Sequence, residues 1–308
     1  MIAGSHYAVP LRAVDRVEVV GRDPVRLRAV KTVTASDPYM DGHFPGLTML
    51  PAVFLLEALR QVVASTVPAG RPPELLAVLS SRLLTPMLGG DEITLDVSLE
   101  PAGPAWKVSA RCTRGDGTTV ARLSALVGDP DTPPPDLPAE APEPAAGPPV
   151  LEHAAIRRLL PVRHPILLVD RVVALEPGRR IETVKNVSGS EPCFRGLTED
   201  LPPSAYSFPR CLALESFGQS AALLWLASGD GGAGGLLMLA AIRDVRFTGS
   251  AGPGDQLRHV VRLDRTVGPN AFLDGQIWAG DRRLATVGTL IAVSRPAEGS
   301  VDPTPMAT

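Results

Sequence analysis

An internal repeat is the feature that most constrains the fold of this 308-residue chain. Several short strings occur once in each half of the sequence, in the same order. The matched segments are VDRV at 14–17 and 169–172, VKTV at 30–33 with VKNV at 184–187, the Pro-to-Gln segments 51–61 and 209–219, and GD at 90–91 and 254–255. The offset between the copies drifts only slightly along the chain, as expected after a duplication followed by loop insertions. Because the repeated unit is as long as an ordinary domain, the pattern indicates two copies of one domain rather than a solenoid.

A proline-rich segment separates the two copies. The stretch GDPDTPPPDLPAEAPEPAAGPP at 128–149 contains almost no large apolar side chains. Such a segment cannot bury enough surface to offset the entropy of ordering it, so a semi-extended spacer is expected. We therefore predict an N-terminal domain over 1–128, a linker over 129–149, a C-terminal domain over 150–296 and a flexible tail over 297–308.

Each copy shows the same order of predicted secondary structure. An alternating, strand-like run at 25–34 or 180–187 leads into a loop rich in Asp, Gly and Pro. One strongly apolar helix follows, with Pro51 or Pro209 predicted in its first turn, where a helix tolerates proline. The helices are apolar on nearly all sides, which predicts that both are buried. Several β-rich runs come after each helix. The pattern predicts an α+β fold in which a curved antiparallel sheet wraps a long central helix, and two such sheets could join at their edges.

Composition excludes several classes of function. The 30 basic and 33 acidic residues give a net charge of −3, which is too balanced to indicate binding to nucleic acid or to a membrane surface. The three cysteines are far apart and form no CxxC motif, which excludes a disulfide scaffold and a thiolate zinc site and predicts a reducing compartment. The most apolar region, 216–241, is interrupted by Asp230 and four glycines, so the sequence does not predict a membrane helix there. We expect a cytoplasmic protein without a metal or other cofactor.

Titratable side chains recur at matching places in the two copies. The loop before the first helix contains His43, and the helix carries Glu57 and Gln61 one turn apart on one face. The second helix repeats this spacing with Glu215 and Gln219. A carboxyl group in such an apolar stretch is exposed, paired or protonated, because burying it as an isolated ion is unfavourable. A single histidine or glutamate is more often structural than catalytic, but the recurrence favours a general base and a general acid.

The motifs resemble those of one enzyme family. The segment GHFPGLTMLPAVFLLEALRQ at 42–61 is similar to the active-site motif GHFPGxPxMPGVLxxEALxQ of the hotdog-fold 3-hydroxyacyl-acyl-carrier-protein dehydratases of fatty acid synthesis. The second copy adds LLPVRHPILLVDRV at 159–172 and PGDQL at 253–257, which also match that family. The resemblance implies two hotdog domains in tandem, each a long helix wrapped by a curved antiparallel sheet. This double hotdog, a dimer fused into one chain, also occurs in polyketide synthase dehydratases.

The second copy departs from the family pattern. At the position of GHFPG it reads GLTEDLPPS at 196–204, where Leu197 or Leu201 replaces the histidine, depending on where an insertion is placed. In the family each site combines the histidine of one hotdog with the carboxylate of its partner. The resemblance therefore implies one live site with His43 and Glu215 as catalytic residues, supported by Gln219. Glu57 and Gln61 would belong to a degenerate second site, with Gln61 in a structural role.

The resemblance also implies which groups of the chain bind the thioester of the acyl substrate. The backbone N–H of Ala52, at the start of the first helix, would face the thioester oxygen, although the family usually has glycine there. Gly46 would support the same site from the histidine loop. Thr48 stands where the family usually has proline.

The implied reaction is dehydration of a 3-hydroxyacyl thioester on an acyl carrier protein to the 2-enoyl thioester, in polyketide or fatty acid biosynthesis. Two alternatives stay open: an enoyl-thioester isomerase, hydratase or thioesterase of the hotdog superfamily, and a non-catalytic hotdog scaffold. The expected partner is an acyl carrier protein with a phosphopantetheine-linked acyl chain, without nucleic acid or membrane, and a homodimer is one option for the assembly. A basic patch for that carrier and an ordinary solvated surface are equal alternatives for Arg157, Arg158, Arg163, Arg179 and Arg180.

Overall fold

The computed structural model describes residues 11–66, 72–131, 141, 143, 147–197, 201, 203–229 and 236–295. Its strands are β1 Arg16–Arg22, β2 Val25–Thr32, β3 Glu74–Leu83, β4 Glu92–Ala102, β5 Ala105–Arg114, β6 Thr119–Gly128, β7 Arg171–Glu176, β8 Arg180–Asn186, β9 Leu236–Phe247, β10 Gln256–Val267, β11 Asn270–Ala279 and β12 Arg282–Arg295. Its α-helices are α1 Pro38–Asp41, α2 Phe54–Ala64, α3 His153–Leu159 and α4 Arg210–Ala227. Short 3₁₀ turns lie at Pro192–Phe194 and Pro203–Tyr206.

Within the described residues, all twelve strands form one antiparallel sheet. The order is β1-β2-β4-β5-β6-β3-β9-β12-β11-β10-β8-β7. The first six strands come from the first half of the chain, and the other six repeat their order in reverse. The halves meet where β3 pairs with β9, with Ala77 opposite Arg246 and Arg82 opposite Ala241. The prediction that the two sheets join at their edges is confirmed, and this pairing removes two exposed strand edges.

One long buried helix packs against each half of the sheet, as the apolar sequences predict. Every residue of α2 from Phe54 to Val63 is buried, and α2 contacts β3 and β6. Helix α4 packs mainly on β8 and β10. Burying each large apolar side chain contributes roughly 1.5–3 kcal/mol, so these helix–sheet contacts stabilise each half. Among the described residues, none of the helices combines the length and apolar character that a membrane crossing needs.

Several elements differ from the sequence predictions. The exposed edge strand β1, the strands β3 and β7, and the short helices α1 and α3 are additional to the predicted elements. Pro209 immediately precedes α4, and Pro51 lies in a turn three residues before α2, so neither proline is in the first helical turn. In that turn the N–H of Phe54 donates to the carbonyl of Pro51 at 2.9 Å.

The predicted domain limits fall close to strand ends. Strand β6 ends at Gly128 and β12 ends at Arg295. The predicted linker at 129–149 lies mostly outside the described residues, and the predicted tail at 297–308 lies entirely outside them.

Candidate active site

A cavity of about 570 Å³ lies between the two halves of the molecule. His43 and Ala52 reach it from the first half, and Glu215 and Gln219 reach it from the second. Apolar side chains from both halves complete the lining, among them Leu83, Met87, Val162, Ala222, Leu226 and Leu290. An apolar cavity with a few convergent polar groups is the usual form of a small-molecule site.

The loop after α1 fixes the orientation of the half-buried His43. Its backbone N–H donates to the Met40 carbonyl at 3.1 Å, and its carbonyl accepts from the Met49 N–H at 3.0 Å. The ring Nδ1 lies 2.8 Å from the Met49 carbonyl oxygen. Because a carbonyl oxygen only accepts hydrogen bonds, Nδ1 carries the hydrogen and the neutral ring keeps its lone pair on Nε2. This tautomer leaves Nε2 able to accept a proton.

The same loop lies directly against the second half of the chain. The Gly42 carbonyl accepts a hydrogen bond from the Arg163 N–H at 2.9 Å. A Cβ atom at Gly42 would lie 2.2 Å from the Arg163 carbonyl oxygen, so only glycine permits this approach. The contact sets the distance between the histidine loop and the segment that precedes β7.

Gly46 and Ala52 hold different positions around this loop. Gly46 is exposed, with φ +79°, in a turn closed by reciprocal backbone hydrogen bonds between Phe44 and Leu47. It shapes the loop and does not line the cavity. Ala52 lies in the turn that precedes α2 and does line it.

Gln219 fixes the carboxyl group of Glu215. Its Nε2 donates to Glu215 Oε1 at 2.9 Å and to the Ile166 carbonyl at 2.7 Å. Its Oε1 accepts from the Leu168 N–H at 2.8 Å. With these three bonds the amide orientation is fully determined, and Gln219 ties Glu215 to the segment that precedes β7.

The equivalent residues of the first helix form a closed cluster. Glu57 is 3% exposed, and Arg60 donates to both of its oxygens, with Nη2 2.5 Å from Oε1 and Nε 3.0 Å from Oε2. Gln61 donates to Glu57 at 2.8 Å and to the Leu11 carbonyl at 2.5 Å. The Ala13 N–H donates to Gln61 Oε1 at 3.0 Å. The sequence left this carboxyl group exposed, paired or protonated, and the structure shows it paired.

The sequence prediction missed the importance of Arg60. In the second helix its equivalent is Gly218, which lines the cavity. A basic side chain three residues after a glutamate in a buried, apolar helix is a signal that could have identified this ion pair. Of the two leucines predicted to replace the second histidine, Leu197 is half-buried and packs against the apolar core, and Leu201 is also half-buried. The structure thus brings His43, Ala52, Glu215 and Gln219 together at one cavity and keeps Glu57 and Gln61 in a separate cluster.

Two comparisons place the chain among known sequences. The model of the FabA-like domain family matches residues 7–71 and 160–288. The 3-hydroxyacyl-[acyl-carrier-protein] dehydratase FabZ of Symbiobacterium thermophilum is 41% identical over 130 residues, covering 41% of this chain and 86% of that protein. The protein of the same name from Bordetella petrii is 38% identical over 153 residues, covering 46% of this chain and 99% of that protein.

Solved structures with the same fold cover nearly the whole chain. The dehydratase domain from the CurJ module of the curacin polyketide synthase has a TM-score of 0.64 at 12% identity and covers 95% of this chain and 99% of its own. The dehydratase domain of RzxB from Pseudomonas fluorescens has a TM-score of 0.64 at 14% identity, with 91% and 98% covered. The chain belongs to the FabA-like hotdog-domain family, and its predicted relationship to hotdog-fold 3-hydroxyacyl-acyl-carrier-protein dehydratases is confirmed.

Proposed function

We propose that this protein dehydrates a 3-hydroxyacyl thioester on an acyl carrier protein to the 2-enoyl thioester, in fatty acid or polyketide biosynthesis. The observation that carries the proposal is one cavity lined by both His43, whose Nε2 can accept a proton, and Glu215, held by Gln219. Relatives 36–41% identical to this chain are named as dehydratases of that substrate class. His43 and Glu215 are the proposed catalytic residues.

The two groups divide the proton transfers between them. Nε2 of His43 takes a proton from the α-carbon, which the thioester carbonyl acidifies. The bond between the β-carbon and the hydroxyl oxygen breaks, and the carboxylic acid of Glu215 gives its proton to the departing oxygen. The products are the 2-enoyl thioester and water, and exchange with solvent returns the lost proton to Glu215 and removes the extra one from His43. A positioned acid or base of this kind contributes about 10²–10⁴-fold to the rate.

The turn before α2 is the proposed stabiliser of the thioester oxygen. Negative charge develops on that oxygen as the α-proton leaves, and the backbone N–H groups at the start of a helix favour negative charge. Ala52 lines the cavity at this turn, so its N–H is the proposed donor. One such donor is worth about 10²–10³-fold.

The proposed architecture is a tandem double hotdog. Each half would be one hotdog, over 1–128 and 150–296, and the pairing of β3 with β9 would correspond to the dimer seam of single-hotdog relatives. The second site at Glu57 and Gln61 is proposed to be degenerate, because Arg60 occupies the carboxyl group there. A further homodimer of the whole chain is not needed to complete the proposed site.

From the sequence, a carrier-binding patch and a solvated surface are equal alternatives for five arginines, and in the structure three of the five are engaged with neighbouring groups. Arg163 donates to the carbonyls of Leu160 and Val162, and Arg179 and Arg180 pair with acidic neighbours. Arg157 and Arg158 are exposed in the last turn of α3, and Arg158 lies at the cavity. We propose this turn of α3 as the contact for the acidic carrier, whose phosphopantetheine arm would carry the acyl chain inward.

Mass spectrometry of acyl carrier protein loaded with 3-hydroxyacyl chains of several lengths tests the proposed function. The protein should convert at least one chain to a product lighter by one water, and His43→Ala should abolish the conversion. His153→Ala is the matched control, because His153 is exposed on α3 and should leave the rate unchanged. Intact substrate at every chain length would overturn the proposal and favour a scaffold.

A further inference from the structure

A buried chain of hydrogen bonds includes Ser216, the residue that follows Glu215 on α4. Ser216 and His259 are both 0% exposed. The Ser216 hydroxyl donates to the Leu168 carbonyl at 2.6 Å, and its oxygen lies 2.7 Å from His259 Nε2. Because the only hydroxyl hydrogen is directed to the carbonyl, Ser216 accepts from an Nε2–H of His259. Burial lowers the pKa of His259 to about 3, so the ring is neutral at ordinary pH.

The chain of hydrogen bonds continues through Leu168 to the proposed acid. The Leu168 N–H donates to Gln219 Oε1 at 2.8 Å, and Gln219 Nε2 donates to Glu215 Oε1 at 2.9 Å. Each donor from His259 onward is directed toward the carboxyl group. The carbonyl and the N–H of Leu168 belong to different peptide groups, so the two sides are coupled through the position of this backbone segment, which both hydrogen bonds fix.

The first half of the molecule offers an internal comparison. There Gln61 holds Glu57 in the same way and also ties it to the preceding segment at Leu11 and Ala13. The repeat places Ala58 at the position of Ser216 and Leu95 at the position of His259. Ala58 and Leu95 are both 0% exposed. The fold therefore forms with an apolar pair at these two positions.

Burying the Ser216–His259 pair lowers the stability of the fold relative to an apolar pair, which suggests that the pair has a role in function. Burying polar groups in an apolar interior lowers stability where a hydrogen bond is missing, and His259 Nδ1 has no hydrogen-bond partner among the described residues. The Ser216–His259 pair lies beside α4, whose Glu215 lines the cavity. It has no polar equivalent beside α2, whose Glu57 belongs to the closed cluster, because Ala58 and Leu95 stand at those positions.

The two carboxyl groups also differ in what else holds them. Arg60 binds both oxygens of Glu57. Glu215 has no cationic partner in the part of the chain that the structure describes, because Gly218 stands at the position of Arg60. The position of Glu215 therefore depends on Gln219, and the position of Gln219 depends on the backbone of Leu168.

We propose that Ser216 and His259 are positioning residues for the Glu215 carboxyl. They clamp Leu168 from one side while Gln219 binds it from the other. The clamp on Leu168 takes the place of the Arg60 guanidinium, which holds the Glu57 carboxyl group in the first helix. Because no cation binds Glu215 in this arrangement, the cavity keeps space for substrate. The proposal rests on the proposed function, in which Glu215 is the proton donor.

The sequence of the first half supplies the variant that tests this role. The double substitution Ser216→Ala with His259→Leu installs the apolar pair that the first half already accommodates. We expect kcat to fall by about 10–10²-fold, because a small displacement of a catalytic group has an effect of that size, while KM stays unchanged. His259→Gln keeps a neutral N–H donor and should retain most of the wild-type kcat.

A second buried polar pair under the same helix is the matched control. Thr183 and Ser220 are 2.7 Å apart and 0% exposed, and the repeat places Ala29 and Val62 at their positions. Ser220 also donates to the Ser216 backbone carbonyl at 2.8 Å, but this bond leaves in place the Ser216 hydroxyl that binds Leu168. Thr183→Ala with Ser220→Val should therefore leave kcat unchanged. If both double variants lose kcat in proportion to their loss of stability, the role is purely structural and the proposal is wrong.

Hydrogen exchange of the Leu168 amide, followed by NMR, provides a readout that does not depend on turnover. The clamp predicts faster exchange of this amide in the Ser216→Ala, His259→Leu variant and unchanged exchange in the Thr183→Ala, Ser220→Val variant. Wild-type protein without dehydratase activity would overturn the proposed function, and the exchange data would still decide the clamp. Unchanged Leu168 exchange in both variants would overturn the clamp even if dehydration is observed.

Discussion

At the residue scale, the two glutamates differ in the residue that stands three positions after each of them. Arg60 follows Glu57 by one helical turn and binds both of its oxygens, whereas Gly218 follows Glu215 and leaves space in the cavity. In both helices the glutamine one turn later donates to the glutamate. Whether the glutamate can meet a substrate therefore depends on the size and charge of the residue three positions later.

Gly218→Arg is expected to close the proposed site. The new guanidinium can pair with Glu215 as Arg60 pairs with Glu57, and its side chain fills the cavity, so kcat should fall by about 10²-fold or more. Gly218→Ala is the control, because an added Cβ would meet only Leu290 Cδ1 at 4.0 Å. Steady-state kinetics on both variants measure the difference, and equal activity would contradict the role given to this position.

Gly42→Ala is expected to displace the histidine loop. A Cβ there would lie 2.2 Å from the Arg163 carbonyl oxygen, so the loop must move away from the second half and carry His43 with it. We expect a loss in kcat of about 10²-fold with the fold retained, as for other small misplacements of a catalytic group. Gly189→Ala is the control, since its Cβ would meet only Pro253 Cβ at 3.8 Å. Wild-type kcat in Gly42→Ala would show that this contact does not position His43.

The sequence predicted some residue-scale features and not others. His43, Glu215 and Gln219 lie in recognisable motifs, so the family resemblance could assign them to one site before any coordinates were known. The pairing of Glu57 with Arg60 depends on the rotamers of two buried side chains, and the clamp at Ser216 depends on a strand more than forty positions away. The i,i+3 spacing of Glu57 and Arg60 is a local signal for the first contact, but no local sequence pattern specifies the second.

At the element scale, α4 differs from α2 in the polarity of its buried face. Helix α2 is buried against β3 and β6 largely through apolar side chains, whereas α4 adds hydroxyl groups facing β8 and β10. His259 on β10 lies opposite Thr183 on β8 in the strand register. These polar contacts fix the rotation of α4 about its axis, since an apolar face can slide or rotate with little penalty while a buried hydrogen bond cannot.

The buried His259 predicts a pH dependence of stability. Its pKa is 6.5 in the unfolded chain and about 3 in the folded protein, because burial disfavours the charged ring. Between these values the unfolded chain binds the extra proton, so stability present above pH 6.5 is lost as the pH falls, by roughly 1 kcal/mol per pH unit. Urea denaturation between pH about 7 and about 5 should show a shallower dependence in His259→Leu than in wild type. Parallel curves for the two proteins would contradict this burial.

Element predictions from sequence succeeded where one strong signal dominated. The apolar runs identified α2 and α4, and alternation identified β2 and β8. Strand β1 is mostly exposed at the sheet edge and β3 has an irregular burial pattern interrupted by shifts in register, so neither shows clean alternation. Their positions are set by pairing with β2 and β6, which is tertiary information.

At the scale of the whole molecule, the paired halves build one site and join one sheet. Besides the pairing of β3 with β9, a side chain from the start of α4 crosses between the halves. Arg210 donates to the Leu75 carbonyl at 2.7 Å and to the Gly249 carbonyl at 3.3 Å, and its guanidinium lies 5.2 Å from the centre of the Phe247 ring. The repeat places Arg210 at the position of Ala52, so equivalent positions line the cavity in one half and cross the seam in the other.

Arg210→Met is expected to weaken the seam. It removes charged hydrogen bonds to two carbonyls and leaves them without that donor, which should lower the free energy of unfolding by roughly 2–4 kcal/mol. Chemical denaturation measures the change, with Arg157→Met on the exposed face of α3 as the control. An Arg210→Met protein as stable as wild type would show that the seam depends on the strand pairing alone.

The central claim is that the histidine of the first half works with the glutamate of the second. The most direct measurement is the rate of water loss from carrier-bound 3-hydroxyacyl chains in Glu215→Gln and in the double variant Glu57→Gln with Arg60→Met. The double variant removes both charges of the closed cluster, which avoids leaving one buried ion unpaired. We predict that Glu215→Gln is inactive and that the double variant retains the wild-type rate, and the reverse result would contradict the cross-half pairing.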